Sequence, residues 1–188
     1  MAPASDGLAP TEVAAIVSDY DARLGKQFKE VIGRCDTYLD GEREHIRYQE
    51  TGLGNFITDI MVGNTGASIA LINSGALRSS IKEGSVTVED VFKAMPYGNE
   101  LVLVELSGAE IEQALVRSTR GTREDEDGGF LHVSGITFDI RGHRVENIRM
   151  TPGGQPLDPH RIYTVVVPDF LASGGDGHEV FKGKAQLK

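Results

Sequence analysis

The chain has 188 residues, 39% of them apolar and 25% charged, and carries a net charge of −9. That length and composition suit one globular domain with a real core, and the acidic balance excludes nonspecific gripping of a nucleic-acid backbone, which needs excess Lys and Arg. The single cysteine, Cys35, excludes an intrachain disulfide and a cysteine-based zinc cluster.

Residues 1–10 are rich in Pro, Ala, Ser and Asp, the composition of a disordered or tag-like end. The stretch lacks the basic and apolar regions of a signal peptide. It fits a cytosolic chain or one whose leader has been removed. From Thr11, Val13, Ile16, Val17, Tyr20, Leu24, Phe28 and Val31 recur at three- and four-residue steps. That period predicts a helix over 11–33, capped by Thr11 and ended by Gly33, roughly 30 Å long. Its length suits a connector to another domain. Residues 34–188 then form the domain proper.

GNFITDIMVG, from Gly54 to about Gly63, predicts a helix, and SIALI (Ser68–Ile72) a short buried strand ending at Asn73. Thr87-Val88-Glu89-Asp90 and Ser107-Gly108-Ala109-Glu110 are capping-box patterns that open two further helices. Leu101–Leu106 between them reads as a strand. Residues 121–129 (GTREDEDGG) predict a charged, solvated loop. VSGITFDI and RVENIRM flank Arg141-Gly142-His143 as a hairpin, and RIYTVVVP predicts a strong strand. Helices and strands mix without strict βαβ order. The expected fold is therefore α+β, a mixed sheet with flanking helices, with no repeat and no second domain. No apolar run reaches the ~18 residues that span a bilayer.

Familiar catalytic patterns are missing. The five histidines form no HxH, DxH or HExxH, and Asp176-Gly177-His178 is too small a set for a metal. Gly177 and Gly183-Lys184 stand one residue too far apart for a P-loop. Ser74 has no GxSxG frame.

A binding constellation remains. Asn73 ends a buried strand and offers a donor and an acceptor together. Gly75 lets a ligand approach the backbone, and Arg78 can pair with phosphate. Tyr97, between Pro96 and Gly98, and Phe170 can each stack on a base. Asp176, among three glycines, can accept two hydrogen bonds from a ribose diol. Each also has a plain reading: a strand exit, a surface tyrosine, a Gly-rich turn, and for Arg47 and Arg78 a solvated arginine.

GLGNFITDIM, ALINSGALR, VFKAMPYGNELVLVELSGAEIEQAL, GGFLHVSGITFDI and PLDPHRIYTVVVPDFLASGGDG follow one another in this order. Together, over about residues 45–182, they resemble the C-terminal, substrate-binding domain of 5′-nucleotidases in the metallophosphatase superfamily. The resemblance implies that Tyr97 and Phe170 sandwich a nucleotide base. It implies that Asn73 bonds the base, Asp176 the ribose, and Arg47 and Arg78 the phosphate side. In place of the family's NGGGIR the chain has NSGALR, where Ser74 and Ala76 replace glycines and add bulk near the base. Tyr97 stands where Phe is usual.

The resemblance also implies a separate N-terminal domain holding two divalent metals and the hydrolytic water; the connector helix would join the two. Its metal motif is missing here, since Gly54-Asn55-Phe56 only looks like GNH. The chain alone, with no catalytic residue, metal ligand or cofactor of its own, is expected not to hydrolyse nucleotides. Expected partners are a nucleotide or nucleoside and that N-terminal domain, with no nucleic acid and no membrane segment. The family is commonly periplasmic, secreted or at the cell surface. The alternative is a free-standing, noncatalytic interaction module with a decayed pocket, which Ser74 and Ala76 motivate.

Overall fold

A computed structural model describes residues 10–122, 124 and 127–187. The element order is α1 (Pro10–Phe28), β1 (Val31–Cys35), α2 (Arg43–Ile46), α3 (Gly52–Thr65), β2 (Ile69–Asn73), β3 (Gly84–Thr87), α4 (Val88–Ala94), β4 (Leu101–Ser107) and α5 (Gly108–Ser118). Then come β5 (Leu131–Ser134), β6 (Ile136–Arg141), β7 (Arg144–Met150), β8 (Ile162–Pro168), α6 (Asp169–Ala172) and β9 (Gln186–Leu187).

The centre is a five-stranded mixed sheet in the order β5-β2-β8-β4-β9. Strands β2 and β8 run parallel, and every other pairing is antiparallel. All of β2 is buried, because both sheet faces are covered. Alternation sorts its side chains. Ile69 and Leu71, with Val165 and Val167, pack with Ile111 and Leu115 of α5. Ala70, Ile72 and Val166 pack instead with Leu53, Ile57 and Met61 of α3. Two cores on one sheet give the expected α+β architecture.

Both capping boxes form. Thr87 and Ser107 each accept the N3 amide, while Asp90 and Glu110 reach back to the cap amide. The β6–β7 hairpin closes through Gly142-His143, with Arg141 paired to Arg144. Gly142 supplies the positive φ such a two-residue turn requires.

The first helix ends five residues earlier than its periodicity suggests. Val31–Cys35 instead pairs antiparallel with β3. Val31 fits the helical series, but β-branched Val31 and Ile32 also favour a strand, and the β3 backbone decides the matter. Phe28 of α1 meets Phe92 of α4 edge-on at 5.4 Å. Pro10 already begins the helix; the expectation of a disordered or tag-like end for residues 1–9 lies outside the described residues. No helix among the described residues is long and apolar enough to cross a membrane.

Candidate functional site

Register brings four loops to one end of the sheet. Asn73, the last residue of β2, pairs with Leu131, the first of β5. So the Asp127–Phe130 segment arrives beside the β2 exit. Leu101, the first residue of β4, pairs with Pro168, the last of β8. The Tyr97–Glu100 segment therefore meets the start of α6 and the glycine loop behind it. The short helix α2 supplies a further wall.

These segments enclose a cleft of about 570 Å³. All seven expected residues line it: Arg47, Asn73, Gly75, Arg78, Tyr97, Phe170 and Asp176. Arg43, Ala76, Asn99 and Gly128 line it as well. Arg43 and Arg47 stand four apart at the α2 turn, a spacing that places both on one face. That spacing was the signal by which Arg43 could have been found. Asn99 follows Tyr97 by two residues on the same loop. Gly128 had no comparable signal, because its place depends on strand register.

Asp176 is the organising acid. It adopts a left-handed backbone, φ 50 and ψ 29, inside the Gly174–Gly177 loop. Asp is one of the few non-glycine residues that enter this region readily. Its Oδ2 accepts a hydrogen bond of 2.7 Å from Asn73 Nδ2. Asn73 is 2% exposed, and among the described residues no donor reaches its Oδ1. Gly75 is pressed close: a Cβ there would lie 3.1 Å from Asp176 Oδ2 and 3.2 Å from Asn73 Nδ2.

Tyr97 and Phe170 are both about half exposed. Among the described residues neither packs against another aromatic ring. Arg78 is exposed, with Nη1 3.4 Å from the Gly75 carbonyl, while Arg47 is buried.

The departures from the family pattern resolve differently. Ser74 is fully buried and its Oγ donates to the Gly128 carbonyl at 2.9 Å. Its bulk goes into the loop and does not line the cleft, whereas Ala76 does.

The 121–129 segment is more than the solvated loop its charge suggests. Its end, Asp127–Gly129, is fastened to the domain, with Asp127 paired to Arg117 and Gly128 in the cleft wall. Residues 123, 125 and 126 lie outside the described residues.

Among the described residues no group of three or more His, Cys, Asp or Glu gathers to hold a metal. The polar side chains of the cleft include three arginines, two asparagines and one carboxylate. That set suits an anion and a polar ring edge, and does not fit a divalent pair, which needs several Asp and His ligands. Gly54, in the GNF sequence, lies inside α3 against the ring of His132.

A family model described as 5′-nucleotidase, C-terminal domain, matches residues 31–183. The chain belongs to this family. Longer proteins carry segments similar to this 5′-nucleotidase C-terminal domain. The trifunctional nucleotide phosphoesterase protein YfkN of Bacillus subtilis is 38% identical over 81% of this chain and 11% of its own length. A 5′-nucleotidase of Bos taurus is 30% identical over 90% of this chain and 34% of its own. The crystal structure of a 5′-nucleotidase precursor from Thermus thermophilus superposes with a TM-score of 0.83 and 34% identity. That match covers 95% of this chain and 37% of the other. The chain thus spans little more than a third, or less, of each of these relatives.

Proposed function

We propose that this domain is the substrate-recognition part of a 5′-nucleotidase-type phosphoric-ester hydrolase. One observation carries the reading: seven residues scattered from 47 to 176 converge on a single cleft at one sheet end. Tyr97 and Phe170 clamp the base, a role that stacking serves whatever the base identity. The orphaned Oδ1 of Asn73 supports an acceptor for a base or sugar donor. Asp176 receives the ribose hydroxyls, and Arg43, Arg47 and Arg78 face the phosphate. Three arginines in one cleft of a chain with net charge −9 favour an anionic ligand there.

Hydrolysis belongs to a metal-bearing N-terminal domain, which α1 connects to this one. Two divalent metals there would supply the attacking hydroxide and stabilise the leaving oxygen. The present residues bind and orient the nucleotide.

Calorimetric titration of the chain with adenosine, AMP and UMP tests this. Binding is expected at millimolar ligand or below, tighter for AMP than for adenosine. Phe170→Ala should weaken it by roughly 1–3 kcal/mol, the usual worth of a stacked ring. Absence of binding, or indifference to Phe170→Ala, would reject the reading and favour a noncatalytic interaction module.

A further inference from the structure

Arg117, in the last turn of α5, meets Asp127 through two hydrogen bonds. Nη1 donates to Oδ2 at 2.7 Å and Nη2 to Oδ1 at 3.2 Å. Both side chains are only 21% exposed. Such a forked pair fixes orientation as well as distance. Asp127 Oδ1 also accepts from the Gly129 amide at 2.8 Å. One carboxylate therefore pins the backbone on both sides of Gly128.

Gly128 is the contact that matters for the cleft. A Cβ on it would lie 3.0 Å from Asp176 Oδ2 and 3.1 Å from the Gly75 Cα. Its carbonyl accepts from the Gly75 amide at 2.9 Å and from Ser74 Oγ at 2.9 Å. The Arg117 guanidinium closes on the second loop too. A Cβ at Gly177 would lie 2.9 Å from Arg117 Nε, and one at Gly129 would lie 3.0 Å from Nη2. His178 Nε2 donates to the Gly129 carbonyl at 2.8 Å and ties the same two loops.

Arg117 itself lines a separate groove, between α5 and residues 177–180, and not the cleft. Yet it touches both segments that carry Gly128 and Asp176. The Asp176 loop holds three glycines and a left-handed aspartate, so its own chain gives it little stiffness. Its restraint comes from outside. Burial pushes the Asp127 carboxyl up, but the Arg117 fork and the Gly129 amide outweigh it and hold its pKa below the ordinary value.

We propose that Arg117 and Asp127 are positioning residues for ribose recognition: the pair clamps Gly128 against Asp176 and Gly75 and so sets the carboxylate for a sugar diol without touching the ligand. This rests on the nucleoside reading of the cleft. The clamp makes binding of sugars with free 2′- and 3′-hydroxyls depend on a salt bridge outside the cleft, while base stacking does not depend on it.

The test uses the 188-residue chain with Arg117→Gln, Asp127→Asn and the double variant. Adenosine and 2′,3′-dideoxyadenosine are titrated by calorimetry. The wild type should prefer adenosine. Each single variant should lose about tenfold of that preference, the double variant no more than either single, and dideoxyadenosine affinity should hold within about twofold. Preference unchanged in both singles would overturn the proposal, as would equal losses for the two ligands, which is what general loosening gives.

A second measurement needs no ligand. Amide exchange at Gly75, whose N–H bonds the Gly128 carbonyl, should speed up at least tenfold in Arg117→Gln. Unchanged exchange there would overturn the clamp even if nucleosides bind. A wild type that binds no adenosine rejects the functional reading instead, and the exchange result still judges the clamp.

Discussion

Gly175 lies against the Phe170 ring, and that contact separates binding from stability. A Cβ at Gly175 would stand 2.4–2.5 Å from three ring carbons. The backbone there is outside the left-handed region, so alanine adopts it without strain. Phe170 is 44% exposed, and an exposed ring can swing outward at little cost. Gly175→Ala should therefore shift thermal stability by less than about 1 kcal/mol. Nucleoside affinity should fall by nearly as much as in Phe170→Ala, roughly 1–3 kcal/mol on the stacking reading. Paired melts and titrations check both halves. A variant that binds as tightly as the wild type would show that the ring's place is not set by this contact. Gly174 and Gly177 act differently, since each holds a positive φ, and Asp176 between them shares that backbone. The loop's composition thus follows from two demands: left-handed turns, and room for an aromatic.

At the scale of elements, α3 is defined by what crosses it. Gly-to-Ala inside an exposed helix usually gains about 1 kcal/mol. At Gly54 the sign should reverse, because a Cβ would fall 2.0–2.2 Å from the His132 imidazole, which is buried and cannot swing away. Gly54→Ala should cost about 1–3 kcal/mol, the range for an overfilled core, read from the urea midpoint. A stabilised variant would mean that α3 shifts freely over β5. Much of this architecture was legible in the chain because local rules suffice: the capping boxes at Thr87 and Ser107, the buried β2 and β8 runs, and the Gly142 hairpin. Other features depend on partners far along the chain. Val31 satisfies the helical period, but β3, distant in sequence, turns it into a strand. Gly54 carried a metal-like neighbourhood in its sequence, and only His132 explains it. For the cleft, aromatic, amide and acidic residues at loop positions could be named singly, and the resemblance assigned their roles. Gly128 and the Arg117–Asp127 pair could not, because register and a contact between α5 and a charged loop create them.

Across the whole molecule, two cores clamp one sheet, and the side chains that bridge them to the cleft loops include two buried histidines. This gives stability a pH dependence of known sign. His132 is 2% exposed, its Nε2 donates to the Ile46 carbonyl at 2.9 Å, and Phe130 meets it edge-on at 5.5 Å. Burial drives its pKa down to about 4, against the opposing pulls of the Ile46 carbonyl and Glu50. In the unfolded chain the ring titrates at its ordinary value near 6.5. Between those values the unfolded state takes up a proton that the folded state refuses. Stability is therefore fullest above about pH 6.5 and falls as pH drops towards about 4. The full effect is roughly 3 kcal/mol. His178, also pushed down by burial, adds a contribution of the same sign. His132→Gln keeps a donor where Nε2 lies and removes the titration. The urea midpoint of the wild type should drop clearly between about pH 7 and about pH 4.5, and the variant should show a shallower drop. Equal slopes in the two proteins would mean that the folded domain admits a proton at His132 as readily as the unfolded chain does.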